Sequence, residues 1–274
     1  MRNRSSPLDA AIAHQPSLEL TCSTMNRVTI VRLCVIAGSV LAVEALCRFD
    51  VINRLTLLPP SEMATYLLHL LVSGEINQAI VQTFSNVAIA FVLSVVLGFL
   101  VGAVMHAIRR LRRACDPFLA SYYSVPVFVF YPLFVSLFGL NRWPLIMIGF
   151  LFAITAMVIA TLNGLDRVPP VLLKLARVHR MSRSAEALRI VLPAAGPYLF
   201  TGVKLALAYS FIGVLAGEFI LSGGGLGYAI AYAYDAFDNR TMYALMLFVL
   251  IVVTVINSAL FIWEQRLLQR RGRG

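Results

Sequence analysis

The 274-residue sequence predicts an all-α integral membrane protein with six transmembrane helices and both termini in the cytoplasm. Hydrophobic residues make up 59% of the chain and charged residues only 13%, whereas a soluble domain is about half apolar and about a quarter charged. Disorder is excluded because it requires low hydrophobicity. The net charge of +10 lies in blocks between long apolar runs, which is typical of a membrane protein rather than of a nucleic-acid-binding face.

Six apolar runs each have roughly the 20 residues that a helix needs to cross the hydrocarbon core. The predicted spans are 28–47, 83–105, 117–137, 144–162, 196–221 and 242–263. They divide the chain into a cytoplasmic extension over 1–27, which we expect to be disordered, a transmembrane domain over 28–263 and a basic cytoplasmic tail over 264–274. The first run is long for a signal peptide and lacks a good cleavage site, so we expect it to be retained. Translation starts at Met1 or at Met25, and the sequence favours neither.

The basic residues orient these spans. Seventeen of the 23 Lys and Arg residues fall in the N-terminal segment, the loops after spans two and four, and the tail, whereas four fall in the opposite loops. Since the basic side faces the cytoplasm, both termini are predicted to be inside. On the outer side, Ser61 is placed to cap a short amphipathic helix that lies on the membrane surface. Within the third span, Pro126 and Pro132 are expected to produce kinks.

The longest cytoplasmic loop, residues 163–192, predicts two short amphipathic helices. The apolar residues of the first are expected to share one face: Leu172, Leu175, Ala176 and Val178. Ser182 is placed to cap the second helix, and Pro193 is placed to end it. Two interpretations remain open, because such an element either docks into a groove of a partner protein or rests on anionic lipid that its arginines attract.

Motifs for covalent chemistry and nucleotide binding are missing from the sequence. It contains no phosphate-binding Gly-x-x-x-x-Gly-Lys-Ser/Thr loop, no His-Glu-x-x-His pair and no serine-nucleophile elbow. The four cysteines show no metal-ligand spacing. We therefore expect no catalytic residue, cofactor or metal on this chain, and an integral-membrane enzyme is a poor interpretation.

The cytoplasmic loop resembles that of the permease subunits of bacterial ABC importers. The family's pattern is Glu-Ala-Ala, three variable residues, Gly, nine variable residues, Ile, one variable residue and Leu-Pro. With Lys174 at the first position, the matching types are Ala176, Ile190, Leu192 and Pro193. Stretches elsewhere are similar to the nitrate, sulfonate and taurine branch of these permeases, among them Leu58-Pro59-Pro60-Ser61, Asp116-Pro117 and Gly224-Gly225-Leu226-Gly227.

This resemblance implies the transmembrane subunit of an ATP-driven importer in a bacterial inner membrane. Such a subunit forms the pathway for a small organic or inorganic solute, often anionic in this branch, that a periplasmic binding protein delivers. The implied partners are two ATPase subunits, which hold the ATP and Mg²⁺, a second permease copy and the binding protein. The implied coupling helices carry these ATPase-coupling residues: Lys174, Ala176, Arg180, Ser182, Leu188, Ile190, Leu192 and Pro193.

Two positions depart from the family pattern, since Lys174 replaces its Glu and Arg180 replaces its Gly. Glycine permits a positive φ at a sharp turn, so with Arg180 we expect a turn that is less sharp or begins elsewhere. Both changes add positive charge. We therefore hypothesise an ATPase partner whose cleft is more acidic than usual.

Glu218 lies near the outer end of the fifth span, just before a run of glycines. Charged groups in spans are costly and often functional, so Glu218, Gly224 and Gly225 are candidates for the pathway or an outer gate. The alternative is that Glu218 only reaches the interface. Two other functions also remain open, an ion-coupled secondary transporter, for which neither midplane ionisable groups nor an internal repeat is evident, and an orphan permease without ATPase coupling.

Overall fold

The computed structural model describes residues 19–49, 56–221 and 223–271, and the regular structure within these ranges is helical. The helices in chain order are α1 (Glu19–Arg48), α2 (Pro60–Ser73), α3 (Asn77–Ala107), α4 (Arg109–Ser121), α5 (Tyr131–Phe138), α6 (Trp143–Asp166), α7 (Pro170–Val178), α8 (Arg183–Glu186), α9 (Leu192–Leu221), α10 (Leu226–Asp235) and α11 (Asn239–Arg271). In the described ranges, four segments are long and apolar enough to cross a membrane, and they contain α3, α6, α8 with α9, and α11.

Four predicted spans coincide with these four segments, and the first, 28–47, lies inside α1. The helix α1 begins at Glu19, so it includes part of the predicted N-terminal extension, whereas residues 1–18 lie outside the described residues. At the other end, α11 continues to Arg271 through most of the predicted tail. The helix α2 occupies the position predicted for the short outer helix.

The predicted third span is not one continuous helix, because the chain breaks between α4 and α5 at Pro126, one of the two prolines expected to produce a kink. Two short 3₁₀ turns, Tyr122–Ser124 and Val127–Phe130, separate these helices. At the break, Val125 and Pro126 have extended backbones, with ψ angles of 122° and 90°. Proline disfavours helical geometry in the residue before it and donates no hydrogen bond. Pro132 lies in the first turn of α5, where its missing N–H removes no helical bond.

The centre of the unit formed by residues 63–274 is α6. Two thirds (67%) of the most apolar stretch of α6 is buried, against 28% of the corresponding stretch of α3 and 6% of that of α11. Close approach of α3 to α6 depends on glycine, since a Cβ on Gly98 would lie 2.8 Å from the Met157 Cβ. A Cβ on Gly213 of α9 would lie 2.7 Å from the Gly149 Cα of α6. Small residues thus bring α3 and α9 against α6, as is typical of helix packing in membranes.

Two ends of this unit are distinguished by their side chains. At the first, which we call the basic end, α3 and α6 finish and the loop containing α7 and α8 begins, near Arg112 and Asp166. At the second, the glycine-loop end, α3 and α6 begin and Gly223–Gly225 connect α9 to α10. The two groups of predicted site residues lie at opposite ends.

Candidate functional site

The loop after α6 is fixed at its entry. Asp166, the last residue of α6, accepts two hydrogen bonds from the Arg112 guanidinium of α4, at 2.6 and 2.5 Å. These bonds raise the pKa of Arg112 above its usual range. The next residue, Arg167, donates to the Tyr198 hydroxyl of α9 at 3.0 Å and lies 5.0 Å from the centre of that ring. The loop therefore begins from a point tied to both α4 and α9.

The helix α7 has two apolar faces rather than the single face predicted. Ala176 is 1% exposed and Leu172 is half-buried, so these two residues face inward. The other face is exposed and consists of Val171, Lys174, Leu175 and Val178, which we call the coupling face. At 100° per residue these four positions fall within about one third of the helix circumference. Three of its four residues are apolar, which is typical of a helix that docks in a groove.

Arg180 forms the sharp turn for which a glycine was expected. Its φ is +47°. The Arg180 N–H donates to the Arg177 carbonyl at 3.0 Å, and the Met181 N–H donates to the Ala176 carbonyl at 3.0 Å. This pair of bonds is a Schellman motif, which satisfies the last carbonyls of the helix. The expectation of a less sharp or displaced turn is wrong, because these bonds offset the cost of about 1–2 kcal/mol for a left-handed non-glycine residue.

The second helix of the loop begins as predicted but does not end at Pro193. The Ser182 hydroxyl accepts a hydrogen bond from the Ala185 N–H at 3.3 Å, so Ser182 caps α8. A π-helical turn over Ala187–Val191 then leads directly into α9, and the Leu192 N–H donates to the Ala187 carbonyl. This wider turn lets the chain pass the proline without a break. Among the other residues predicted to couple to the ATPase, Leu188 is exposed and Ile190 is half-buried.

At the glycine-loop end, the Glu218 carboxylate is fully buried and joins three elements. It accepts hydrogen bonds from the Thr83 hydroxyl at 2.6 Å and from the Asn86 amide at 3.3 Å, both on α3. It also accepts from the Gly227 N–H of α10 at 3.2 Å. The Leu226 N–H donates to the Thr83 hydroxyl at 2.7 Å. Glu218 therefore does not reach the surface, and it binds the start of α10 to α3 and α9.

The glycine loop packs directly on this carboxylate. Gly225 has φ +98°, and a Cβ there would lie 2.3 Å from the Glu218 carboxyl carbon. A Cβ on Gly224 would lie 2.7 Å from the Gln82 side-chain oxygen of α3. Gly225 is thus a position where only hydrogen fits, whereas a side chain at Gly224 would require the Gln82 side chain to move, and the structure brings both predicted gate glycines close to Glu218.

Sequence reasoning missed a polar stripe at the start of α3. Gln78, Gln82 and Ser85 recur at i, i+4 and i+7, which places them on one face. Gln82 lines three cavities of about 440, 520 and 360 Å³, and Arg142 lines the latter two. The signal available in the sequence was this helical spacing of amides and hydroxyls in an otherwise apolar run.

Lys204 and Glu44, two charged groups outside these sites, each have a partner within their own unit. The Lys204 ammonium of α9 binds the Glu264 carboxylate of α11. In residues 1–62, the Glu44 carboxylate accepts from the Ser61 N–H at 3.0 Å and from its hydroxyl at 2.7 Å. The predicted capping role of Ser61 is therefore taken by Glu44. Among the described residues, no group of three or more His, Cys, Asp and Glu side chains could hold a metal ion.

The sequence is similar to those of known membrane transport proteins. A family model described as "Binding-protein-dependent transport system inner membrane component" matches residues 94–273. The nitrate import permease protein NrtB of Leptolyngbya laminosa is 27% identical over 179 residues, which are 65% of this chain and 64% of that protein. The chain thus spans just under two thirds of that relative. The putative aliphatic sulfonates transport permease protein SsuC of Bacillus subtilis (strain 168) is 28% identical over 217 residues, 79% of each chain.

A solved structure shares the fold. The MetNI methionine ABC transporter, in an inward-facing conformation, matches with a TM-score of 0.62 at 17% sequence identity. The match covers 70% of this chain and 95% of that one. The common part therefore accounts for nearly all of the matched chain of that transporter.

Proposed function

The chain belongs to the family of binding-protein-dependent transport system inner membrane components, and from that premise we propose that it is the transmembrane permease subunit of an ATP-driven ABC importer. The observation that carries the proposal is the family match over 94–273, which includes the loop at the basic end and the Glu218 carboxylate at the other. In this function the chain performs no covalent chemistry. It provides a pathway whose two ends respond to partners on opposite sides of the membrane.

The proposed arrangement puts the basic end in the cytoplasm. There the coupling face of α7 docks on an ATPase subunit, and two such subunits serve two permease copies. A solute-binding protein approaches the glycine-loop end. The chain crosses a bacterial inner membrane six times with both termini inside, and the α4–α5 segment makes one crossing despite its break. The concentration of basic residues at one end supports this orientation.

The proposed solute is a small oxyanion. The relatives reported above are named for nitrate and for aliphatic sulfonates, which are both compact anions with several oxygen atoms. ATP drives import if nucleotide binding favours one conformation of the permease over the other. The anchored entry of the coupling loop supports such transmission, because motion of α7 is carried to α4 and α9 through Asp166 and Arg167.

Co-purification and an ATPase assay test the proposal. The tagged chain, expressed with the ATPase and binding protein encoded beside it, should form a stable complex whose hydrolysis rises with loaded binding protein. Val178→Asp on the coupling face, where Val178 is 78% exposed, should reduce ATPase recovery about tenfold, because a buried unpaired charge costs well over 1.4 kcal/mol. The matched control is Val72→Asp on α2, which is 88% exposed and should leave recovery unchanged.

Two results would contradict the proposal. A chain that purifies without an ATPase favours an ion-coupled carrier. A complex whose rate of ATP hydrolysis does not change when loaded binding protein is added favours an orphan permease.

A further inference from the structure

We propose that Arg142 and the polar stripe of α3 around Gln82 form a binding site for the oxyanion group of a solute. The site lies at the glycine-loop end and takes a sulfonate, carboxylate or nitrate group. It deepens the proposed function by naming residues that select the solute, and its role in import rests on that function. Anion binding by the chain itself is a separate property that is measured directly.

Two cavities lined by Gln82 provide the space for such a group. One cavity of about 520 Å³ is lined by Gln82 and Arg142 together with Asn77, Gln78, Ser85 and Asn86. A second, of about 360 Å³, is lined by the same Gln82 and Arg142 together with Tyr131 and Asn141. Amide and hydroxyl groups donate hydrogen bonds to anionic oxygens without adding negative charge. The amides of Gln78 and Gln82 therefore offer neutral donors beside the cation, whereas the Ser85 hydroxyl already donates to the Gln82 carbonyl at 2.9 Å.

Arg142 is the cation that lines both of these cavities. Among the described residues it makes no ion pair, and its recorded contact is with the Trp143 ring, whose centre is 5.9 Å away. Two acidic residues, Glu75 and Asp238, line the neighbouring 440 Å³ cavity but neither of the two that Arg142 lines. The planar guanidinium matches the oxygen pairs of carboxylates and similar anions in a bidentate geometry.

The turn that carries Arg142 is ordered by its own hydrogen bonds. The Asn141 amide donates to the Phe138 carbonyl at 2.5 Å, and the Asn141 side-chain oxygen accepts from the Trp143 N–H at 2.8 Å. Arg142 directly precedes the first residue of α6. Since the N-terminus of a long helix carries a partial positive charge, α6 adds to the attraction for an anion. The cation is thus presented from a defined position beside the cavities.

The polar stripe of α3 is costly unless it faces water or a ligand. Gln82 and Ser85 lie half-buried in a helix that is otherwise suited to hydrocarbon. Asn86 is fully buried, and its side-chain oxygen has no hydrogen-bond partner while its nitrogen donates to Glu218. Buried acceptors in proteins almost always have a partner, so the Asn86 oxygen is an unsatisfied polar atom in the wall of the cavity that Asn86 helps to line.

Intrinsic fluorescence measures anion binding at this site, because Trp143 adjoins Arg142 and the chain has only two tryptophans. In a Trp263→Phe background, Trp143 is the reporter, and the purified full-length chain in lipid nanodiscs is titrated with sodium methanesulfonate against sodium chloride at constant ionic strength. We expect a saturable change with methanesulfonate and none with chloride. Arg142→Gln should raise the Kd about tenfold or more, and Arg142→Lys should raise it less.

The matched control is Arg240→Gln, since Arg240 is an exposed arginine that lines none of the three cavities. It should leave the Kd unchanged. An Arg142→Gln titration that superimposes on the parent, with an unchanged melting temperature, overturns the site. An equal response to chloride overturns the selectivity for oxyanions.

Transport by the assembled complex separates the two proposals. If the parent chain binds methanesulfonate through Arg142 but the complex imports no oxyanion, the site stands and the proposed function fails. If the complex imports oxyanions and Arg142→Gln changes neither binding nor the import rate at saturating binding protein, the function stands and the site fails. If both stand, Arg142→Gln lowers that import rate while ATPase recovery stays normal.

Discussion

At the scale of single residues, Glu218 organises the glycine-loop end. A carboxylate with no exposed surface is stable in a bundle only when hydrogen bonds replace its hydration. Here the replacement comes from two side chains of α3 and one backbone N–H of α10. Its burial therefore determines where the glycine loop lies, and the position of the loop in turn requires glycine beside the carboxylate.

Glu218→Ala should destabilise the protein. The truncation leaves the donors of Thr83, Asn86 and Gly227 without an acceptor, at a cost of roughly 3 kcal/mol in the free energy of unfolding. Glu218→Gln keeps one acceptor oxygen and should lower the free energy of unfolding by less than Glu218→Ala does. Thermal unfolding of the purified chain measures both effects. The control is Glu75→Gln, an exposed residue of the same end, and a loss in the control as large as that of Glu218→Ala would remove the special role of Glu218.

Gly225→Ala should be far more harmful than Gly223→Ala. At Gly225 a Cβ meets the Glu218 carboxylate at 2.3–2.5 Å and φ is +98°, whereas at Gly223 no atom lies within 4 Å. The backbone conformation alone costs an alanine about 1–2 kcal/mol, and the contact adds to that cost. Melting temperature and import rate are compared for the two variants. Equal melting temperatures and import rates for Gly225→Ala and Gly223→Ala would show that the loop lies away from Glu218.

At the scale of elements, Arg180 shows how hydrogen bonding overrides residue preference. The Schellman bonds at the end of α7 hold an arginine in the left-handed region, so the loop keeps a sharp turn while carrying an extra charge. Arg180→Asn should preserve the turn, since asparagine tolerates this conformation. If an acidic ATPase cleft binds Arg180, this variant should weaken ATPase binding several-fold. Unchanged ATPase stimulation in Arg180→Asn and in Lys174→Glu would reject the acidic cleft.

The Arg112–Asp166 pair is predicted to link α4 to the entry of the coupling loop. Both side chains are about one third exposed, so solvent screening limits their coupling energy to about 1 kcal/mol despite the bidentate geometry. Arg112→Ala and Asp166→Ala should each lower the ratio of import to ATP hydrolysis. The exchanged pair Arg112→Asp with Asp166→Arg should recover part of it. Additive effects in the double-mutant cycle would mean that the two residues act independently.

The sequence predicts helices well where a single pattern decides them and poorly where tertiary contacts decide. Apolar length alone located the four long segments and the helix α1. Over 117–137 apolar length predicted one span and Pro126 predicted a kink, but the sequence did not show that this kink is a complete break between two helices. The spacing of Leu172 and Val178 gave a helix but not its two faces, since which face is inward depends on contacts with distant elements. For the same reason, the sequence could not predict which residues of α3 donate hydrogen bonds to Glu218.

At the scale of the whole molecule, the two functional ends differ in charge and in rigidity. The basic end presents exposed arginines and an apolar coupling face on a loop tied to two helices. The glycine-loop end presents cavities lined by Arg142, which makes no ion pair within the described part of the chain, and it also contains the buried Glu218 carboxylate. Both ends share α6, whose first and last residues adjoin Arg142 and bind Arg112. A shift of α6 or of its packing against α3 therefore reaches both ends, which is the minimum that coupled transport requires.

The orientation of the molecule decides which partner meets which end, and labelling tests it directly. In a background without the four cysteines, Glu75→Cys, Arg177→Cys and Arg266→Cys each introduce one exposed thiol. Because basic segments remain in the cytoplasm, a membrane-impermeant maleimide should label Glu75→Cys in intact spheroplasts. It should label the other two only after permeabilisation. Labelling of Arg177→Cys in intact spheroplasts would show that the orientation is the reverse of the one proposed. Labelling of Arg266→Cys but not of Arg177→Cys in intact spheroplasts would mean that the chain crosses the membrane an odd number of times between these two residues.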